Sequence, residues 1–259
     1  MRLLSLNLWG GRQGNLLFDY LKQQAATTDI FCFQEVFSTQ SEIKNYKSAR
    51  INLFGELCSL LTGYQPLFSK TYTGWVDRQP VGFEVAEGQA MFVKKPIAIR
   101  EHGQIYIHGS EITQITPDFT NEPKDLQYQI LNFGGGDFMI ANVHGMWHPG
   151  EKLDTPQRLE QSKKIRALTD SFAGPKIVCG DFNLMPGTAS VKILEENLVN
   201  LIKQYNITNT RNEVSWKEFG TKQHFADYTF VSPEVKVTSF EVPYNLVSDH
   251  LPLVLNFDL

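Results

Sequence analysis

Four apolar runs with the length and composition of buried strands each have an acidic residue at one end. In chain order these acids are Glu35, Asp181, Asp227 and Asp249. Carboxylates at the ends of neighbouring strands meet at one rim of a sheet, where clustered negative charge is unfavourable unless a hard cation neutralises it. The pattern therefore predicts a sheet-based fold with an acidic rim, and it favours a divalent cation at that rim.

The order of the predicted elements indicates the fold class. Strands are predicted over 3–9, 29–34, 90–94, 97–102, 104–108, 126–133, 137–144, 176–180, 227–232, 235–242 and 252–257, and helices over about 15–27, 39–62, 155–171 and 187–197. The segments 69–89 and 116–125 are interpreted as loops. Strands outnumber helices, and hairpins mix with strand–helix–strand crossovers. This favours an α/β fold, a four-layer α/β sandwich with two mixed β-sheets face to face and helices outside.

The length of the chain favours one domain covering residues 1–259. A chain of 259 residues, 42% of them hydrophobic, can bury a sizeable core. No repeat or linker divides it, and the candidate site residues extend from Asn7 to His250. The whole chain must therefore fold together to assemble the site.

Charge and cysteine content limit the partners and the compartment. The 24 basic and 28 acidic residues give a net charge of −4, which excludes a global basic field for nucleic acid but leaves a local patch open. Cys32 and Cys179 lie in apolar runs, which favours buried free thiols and a reducing, cytoplasmic location. No apolar run approaches the ~18 residues of a membrane-spanning helix. We therefore expect a monomer with no membrane partner.

Six short motifs occur in order along the chain, each at a predicted strand end. They are Leu6-Asn7-Leu8-Trp9, Phe33-Gln34-Glu35, Asn142-Val143-His144, Gly180-Asp181-Phe182-Asn183, Asp227-Tyr228 and Ser248-Asp249-His250. With these motifs the sequence resembles the endonuclease/exonuclease/phosphatase superfamily, which includes pancreatic deoxyribonuclease, abasic-site endonucleases, neutral sphingomyelinases and inositol polyphosphate 5-phosphatases. The resemblance implies the sandwich fold and a divalent-cation-dependent attack of water on a phosphoester.

The resemblance also implies a metal site built on Glu35. Carboxylate oxygens suit Mg²⁺ or Mn²⁺. Glu35 would be the principal ligand, Asn7 would lie beside it as a ligand or as a neighbour of the ligands, and Asp249 would complete the acidic rim near the metal. From the residues alone, Glu35 could also be a solvated acid after a strand, and Asn7 could cap the turn at Gly10-Gly11.

Asp181 and Asn183 are two residues apart, so on an extended strand end their side chains point to the same side. The resemblance implies that Asp181 orients and deprotonates the attacking water and that Asn183 holds the water or a phosphate oxygen. The alternative is an Asx-turn, in which both side chains bond only to their own backbone.

Two histidines have implied roles at the phosphate. Asp227 and His250 match the carboxylate–imidazole pair of the family, in which the acid raises the pKa of the imidazole and the charged ring binds phosphoryl oxygens. His144 matches the histidine that contacts the scissile phosphate in the deoxyribonuclease and phosphatase branches. Glu87 is the nearest candidate for the glutamate that accompanies it. From the residues alone, Asp249-His250 could equally be a polar turn before the last strand.

Three further residues are candidates for substrate binding. Arg78 in loop 69–89 and Trp147 after His144 could grip phosphate or stack on a ring, as could the loop 209–224 with Arg211, Trp216, Lys217 and Lys222. Packed aromatics and solvated charges are the alternative. Arg158, early in the helix predicted at 155–171, could contact phosphate or form a surface salt bridge.

The function predicted from the sequence is hydrolysis of a phosphoester by water with Mg²⁺ or Mn²⁺ as cofactor. A small phosphorylated metabolite, monoester or diester, is favoured as substrate because the chain is acidic and has no long basic run. A DNA or RNA nuclease is the alternative within the enzymes. A non-catalytic binding module on the same fold is the alternative from another class, although no expected polar site position is apolar.

Overall fold

The structure is a computed structural model that describes residues 1–111, 114–116, 118–148, 150–220 and 223–259, without the side chains of 218 and 219. Lys222 therefore lies outside the described residues. The longer strands are β1 (Arg2–Asn7), β2 (Ile30–Ser38), β5 (Tyr64–Thr73), β8 (Ala86–Lys94), β9 (Ala98–His108), β10 (Lys124–Phe133), β11 (Gly136–His144), β12 (Lys176–Asp181), β14 (Asp227–Val231), β15 (Lys236–Glu241) and β16 (Leu253–Asp258).

The remaining elements are short strands and helices. The short strands are β3 (Asn45–Tyr46), β4 (Ala49–Arg50), β6 (Trp75–Val76), β7 (Gln79–Pro80) and β13 (Val199–Asn200). The helices are α1 (Asn15–Gln24), α2 (Leu53–Leu60), α3 (Pro156–Asp170), α4 (Ala189–Glu195), α5 (Leu201–Gln204) and α6 (Glu213–Phe219).

Two six-stranded mixed sheets form the centre of the protein. The first has the order β15-β16-β1-β2-β8-β5 and the second has the order β13-β14-β12-β11-β10-β9. Apolar side chains of both sheets, such as Ile30 and Ile140, lie in one buried cluster. The outer face of the first sheet packs against α1 and α2 through a second cluster that includes Leu4 and Leu17. The predicted four-layer α/β sandwich is confirmed.

Each sheet contains one parallel pair, and these two pairs position the site. In the first sheet β1 and β2 are parallel, with Asn7 opposite Gln34. In the second sheet β11 and β12 are parallel, with His144 opposite Asp181. Asn7, His144 and Asp181 are the last residues of β1, β11 and β12, and the hydrogen bond from Asn7 to Asp181 brings the two sheet edges together at one rim. The Gln34 amide donates to Asn142 Oδ1 at 2.6 Å and joins the two sheets below this rim.

The helix predicted over 39–62 is wrong in its first half. The hairpin β3–β4 occupies 45–50, and α2 begins only after Asn52, whose side-chain oxygen accepts a hydrogen bond from Gly55 N at 3.3 Å. Ala49 and Ile51 are buried with Phe37 instead of lining a helix. Tertiary packing against this small cluster therefore overrides an apolar spacing that fits a helix.

The segment 69–89 is mostly extended rather than a loop. β5 continues to Thr73, β8 begins at Ala86, and the hairpin β6–β7 lies between them. The two residues of its turn, Asp77 and Arg78, have φ values of 52° and 59°. Positive φ at both positions is the geometry of a tight turn that matches strand twist. The pair Asp-Arg is not typical of such a turn, whereas Asn-Gly is, so the sequence did not predict it.

Three other differences are smaller. The strands predicted over 97–102 and 104–108 are the single strand β9, in which Gly103 lies against the ring of Tyr128 and leaves no room for a Cβ. β1 ends at Asn7, because Trp9–Gly11 forms a 3-10 turn. The segment 209–224 contains α6. The helix predicted over 155–171 is confirmed as α3, with Thr155 as its N-cap and proline in its first turn.

The three cysteines are free, and Cys32 and Cys179 are buried as their apolar surroundings predicted. Across the part of the chain that the structure describes, no helix has both the length and the apolar character needed to cross a membrane.

Candidate active site

Unusual backbone conformations aim side chains into the site. Glu35 has φ 53° and lies at a β-bulge where β2 loses register with β8. Gly180 has φ 131°, and a Cβ there would lie 2.2 Å from the Val143 carbonyl oxygen. Asn183 has φ 53°. Such conformations cost of order 1–3 kcal/mol each and persist where the surrounding structure imposes them. The two non-glycine residues among them, Glu35 and Asn183, lie at the acidic rim, which makes this rim a candidate functional site.

Asn7 holds two acids that come from different sheets. Its amide nitrogen donates to Glu35 Oε1 at 2.9 Å and to Asp181 Oδ2 at 3.1 Å. Its side-chain oxygen Oδ1 accepts a hydrogen bond from Trp9 N at 2.9 Å. The sequence left Asn7 as a metal ligand or as a neighbour of the ligands, and these hydrogen bonds favour the second, since the backbone engages its Oδ1. In this arrangement Asn7 positions the two acids.

Asp181 is buried and accepts hydrogen bonds from two sides. Its Oδ1 accepts from Asn183 N at 3.0 Å, which is the Asx-turn contact, while Oδ2 faces Asn7 and lies 3.7 Å from His250 Nε2. Burial alone would raise the pKa of Asp181, but the charges of His250 and Lys152 outweigh it and hold that pKa below its usual range. Asp181 therefore forms the Asx-turn with one carboxylate oxygen and directs the other into the site. The Asn183 amide donates to the Gly145 carbonyl oxygen at 3.2 Å.

His250 and Asp227 form the buried pair that the sequence predicted. His250 Nδ1 lies 2.9 Å from both carboxylate oxygens of Asp227. The Asp227 backbone N–H donates to Thr210 Oγ1 at 3.2 Å. Burial lowers the pKa of His250, but the charges of Asp227, Asp249 and Asp181 together outweigh it, and the net pKa is raised. The bond to Nδ1 leaves Nε2 directed at the acidic rim, 3.7 Å from Asp181.

His144 lies on the other side of Glu35, with its Nε2 3.8 Å from Glu35 Oε1. Burial, aided by the charge of Lys124, lowers the pKa of His144 to about 3, so this ring is neutral. Glu87, the predicted companion, instead accepts a hydrogen bond from Tyr72 at 2.5 Å. Burial raises the pKa of Glu87 to about 8. The carboxylate next to His144 is therefore Glu35 rather than Glu87.

Asp249 is paired with an arginine instead of standing free at the rim. Arg211 Nη2 lies 2.6 Å from Asp249 Oδ2, and Arg211 also forms a backbone bridge to His250. This pair weakens the prediction of Asp249 as a metal ligand, since one of its oxygens is already occupied. Asp249 still acts on the site through its charge, because after burial it is the strongest influence that raises the pKa of Glu35.

The surroundings of Arg158 do not favour its predicted role in substrate binding. It is fully buried, and its guanidinium donates to the carbonyl oxygens of Met146, Trp147 and Leu153 at 2.7 to 3.3 Å. The helix position suggested a surface side chain, but the chain after β11 folds over it. Arg158 therefore holds the segment that follows β11 in place through these hydrogen bonds.

Arg78 and Trp147 lie together at the edge of the site. The Arg78 guanidinium carbon is 3.8 Å from the centre of the Trp147 ring, and Trp147 Nε1 donates to Glu122 Oε2 at 2.6 Å. Arg78 is exposed and Trp147 is half-buried. Their role as substrate-binding residues stays a prediction. Lys152, by contrast, is a buried cation near the acids that no sequence pattern singled out, because a lone lysine between loop residues has no period or motif.

The donor set fits a divalent cation. Ligand atoms of Glu35, His144 and Asp181 lie within 4.8 Å of one another, and so do those of Asp181, Asp227 and His250. Burial and the charge of Asp249 raise the pKa of Glu35, and a bound cation would favour its ionised form. The carboxylate oxygens of this set suit Mg²⁺ or Mn²⁺. The arrangement places a cation site next to an acid and a charged imidazole.

A family model, a sequence relative and solved structures match this chain. The model of the Endonuclease/Exonuclease/phosphatase family matches residues 4–250. Human Nocturnin is 26% identical over an alignment of 160 residues, and the match covers 53% of this chain and 37% of that protein. The chain thus aligns with little more than a third of the length of Nocturnin.

Solved structures share the fold along the entire chain. A family protein from Leptotrichia buccalis is 20% identical with a TM-score of 0.73, and the match covers 100% of both chains. A mannosyl-6-phosphatase from Bacteroides thetaiotaomicron is 17% identical with a TM-score of 0.66, again over 100% of both chains. At these identities the similarity establishes the fold.

Proposed function

This chain belongs to the Endonuclease/Exonuclease/phosphatase family, and we propose that it is a Mg²⁺- or Mn²⁺-dependent hydrolase that cleaves the phosphoester bond of a small phosphorylated substrate. The observation that carries the proposal is the position of Asp181 between two parts of the site. It is joined to Glu35 through Asn7, and it also faces the charged His250–Asp227 pair. A cation site and a phosphate-binding imidazole thus adjoin one acid.

Each residue has a role that follows from its position. Glu35 and Asp181, with His144 beside them, would hold the cation. When bound, Mg²⁺ would polarise a phosphoryl oxygen and offset the negative charge that develops during the reaction. Asp181 is ionised at neutral pH and accepts the proton of the attacking water. His250 donates from Nε2 to a phosphoryl oxygen, and Asp227 keeps that ring charged and oriented.

Two observations support a small substrate. The net charge of −4 does not favour an extended surface that follows a phosphate backbone. A structural relative over the full chain is a mannosyl-6-phosphatase. A nuclease remains the rival, since the exposed Arg78 stacked on Trp147 could also hold a base.

The test is a substrate screen with controlled metal. The purified protein is assayed after chelation and after addition of Mg²⁺ or Mn²⁺ against sugar phosphates, aryl phosphate monoesters and diesters, single-stranded and duplex DNA, and RNA. We expect turnover only with added cation and fastest on small esters. Full turnover after chelation would remove the metal from the proposal, and binding without turnover would favour the non-catalytic module.

Glu35→Gln isolates the metal site. The amide cannot supply the charge of the carboxylate, so metal binding measured by calorimetry should weaken at least about tenfold, the usual effect of losing one charge-assisted contact. Glu42→Gln removes an exposed carboxylate and should bind metal like the wild type. Equal metal binding in all three proteins would exclude Glu35 as a ligand.

A further inference from the structure

Lys152 is a buried cation without a hydrogen-bond partner among the described residues. Its side chain is 3% exposed, and its Nζ has no acceptor within reach. Burying an ammonium group is unfavourable because water is lost, and ordinarily a carboxylate or several carbonyl oxygens replace it. In the described part of the protein, no acceptor forms a hydrogen bond to Lys152 Nζ in place of water. An anion that enters the site would supply such an acceptor.

The backbone around Lys152 is fixed by contacts that do not involve its ammonium group. The Lys152 carbonyl oxygen accepts a hydrogen bond from Met185 N at 3.0 Å, on the loop that follows β12. The next carbonyl oxygen, that of Leu153, accepts from Arg158 Nη1 at 2.7 Å. Asp154 accepts from the first two backbone amides of α4 at 2.7 and 2.9 Å. The segment therefore holds its place without help from the charge of Lys152.

The surroundings of the ammonium group are those of the active site. Burial and the charge of Arg211 lower the pKa of Lys152 to about 8, while Asp181, Asp227 and Asp249 act in the opposite direction. Lys152 is thus charged at neutral pH, its backbone is bonded to the loop that follows Asp181 and Asn183, and the charges of the site acids act on its ammonium group. Arg211, the other cation there, is already paired with Asp249.

We propose that Lys152 binds the phosphoryl group of the substrate and makes the site selective for phosphate monoesters over diesters. This inference rests on the proposed function. A monoester carries roughly −1.5 to −2 charge at neutral pH and three unesterified oxygens, whereas a diester has a single negative charge and two such oxygens. An additional unpartnered cation therefore favours the monoester. The flexible lysine stem allows the ammonium group to move onto an oxygen as the anion enters.

The experiment compares Lys152→Met with Lys22→Met, which removes the same charge from the exposed surface of α1. Binding of inorganic phosphate in Mg²⁺ is measured by calorimetry, thermal unfolding is measured without phosphate, and kcat/KM is measured for p-nitrophenyl phosphate and for bis(p-nitrophenyl) phosphate. Lys152→Arg, which keeps the charge, is the conservative variant.

We expect Lys152→Met to bind phosphate ~10- to 100-fold more weakly, the range for loss of a hydrogen bond to a charged group. Its kcat/KM should fall by a similar factor for the monoester and by much less for the diester. Its Tm should be unchanged or higher, because a buried unpartnered charge is gone. Lys22→Met should equal the wild type, and Lys152→Arg should recover part of the phosphate affinity.

Three results would overturn the inference: unchanged phosphate binding in Lys152→Met, an equal loss for both esters, or a Tm lowered by several degrees, which would make Lys152 structural. If the wild type hydrolyses neither ester, the proposed function fails, and phosphate binding still decides the role of Lys152. A wild type that binds no phosphate at millimolar concentration also overturns the inference.

Discussion

Asp181 serves the backbone and the site together, and its replacement separates the two roles. Asp181→Asn keeps the acceptor for Asn183 N but removes the base, so kcat should fall ~10²- to 10⁴-fold, the usual size of a general-base contribution. Steady-state kinetics on a small ester measure the loss. Asp170→Asn, which neutralises a half-exposed carboxylate at the end of α3, is the matched control. A rate within a few-fold of wild type would exclude Asp181 as the base and leave it only its role in the Asx-turn.

The Asp227–His250 pair predicts a change in pH dependence. Burial opposes the charged imidazole, but Asp227, with help from Asp249 and Asp181, raises the pKa of His250 above its ordinary value. Activity that needs charged His250 is present below this pKa and is lost as the pH rises through it. Asp227→Asn should therefore move the alkaline decline of kcat to lower pH. NMR titration of the His250 ring checks the cause, and an identical His250 titration in both proteins would contradict the pairing.

Short motifs predicted the residues of the site better than their contacts. Asp181 and Asp227 are strand ends, while Glu35 and His250 adjoin apolar strand segments, and such segments are visible in a sequence. The direction of the Asn7 amide is not visible, since it depends on the Trp9 N–H of the turn that follows. The pairing of Asp249 with Arg211 joins residues that are 38 positions apart, and the isolation of Lys152 depends on everything packed around it.

The parallel pair β11–β12 depends on the absence of a side chain at Gly180. A Cβ there would lie 2.2 Å from the Val143 carbonyl oxygen, and φ is 131°. Gly180→Ala should therefore lower the free energy of unfolding by about 2–4 kcal/mol, the range for backbone strain combined with overpacking. Urea unfolding measures this value.

Gly63→Ala is the control for that variant. Gly63 has open space where a Cβ would be added, so its replacement should change the free energy of unfolding by less than about 1 kcal/mol. Equal stability of Gly180→Ala and wild type would show that β11 and β12 can separate to admit the methyl group.

Elements with their own local signals were predicted well, and the others were not. α3 has Thr155 as a cap and a proline in its first turn, and its predicted and observed bounds differ by one residue at each end. The error over 39–62 has a different origin, because Ala49 and Ile51 pack with Phe37 of β2. A residue's spacing along the chain cannot show which distant side chain it will meet.

The charge of the folded protein predicts weak binding to duplex DNA. With a net charge of −4, few counterions would be released from the nucleic acid, so affinity at physiological salt should be low and should change little with salt. Fluorescence anisotropy of a labelled duplex across a salt series measures both quantities. Tight binding with a steep salt dependence, together with efficient nicking of plasmid, would favour a nuclease over a hydrolase of small phosphoesters.

The two sheets contribute different parts of the site, and the chain builds them in an interleaved order. Asn7 and Glu35 come from β1 and β2, while His144, Asp181, Asp227 and His250 follow after β9, and β15 and β16 return to complete the first sheet beside β1. A cut between β8 and β9 would therefore leave two fragments that each hold an incomplete set of residues. The second fragment would present the edge of β16 that β1 normally covers. Hydrolysis would then return only when the fragments reassociate, which makes this chain suited to a split-enzyme reporter of protein proximity.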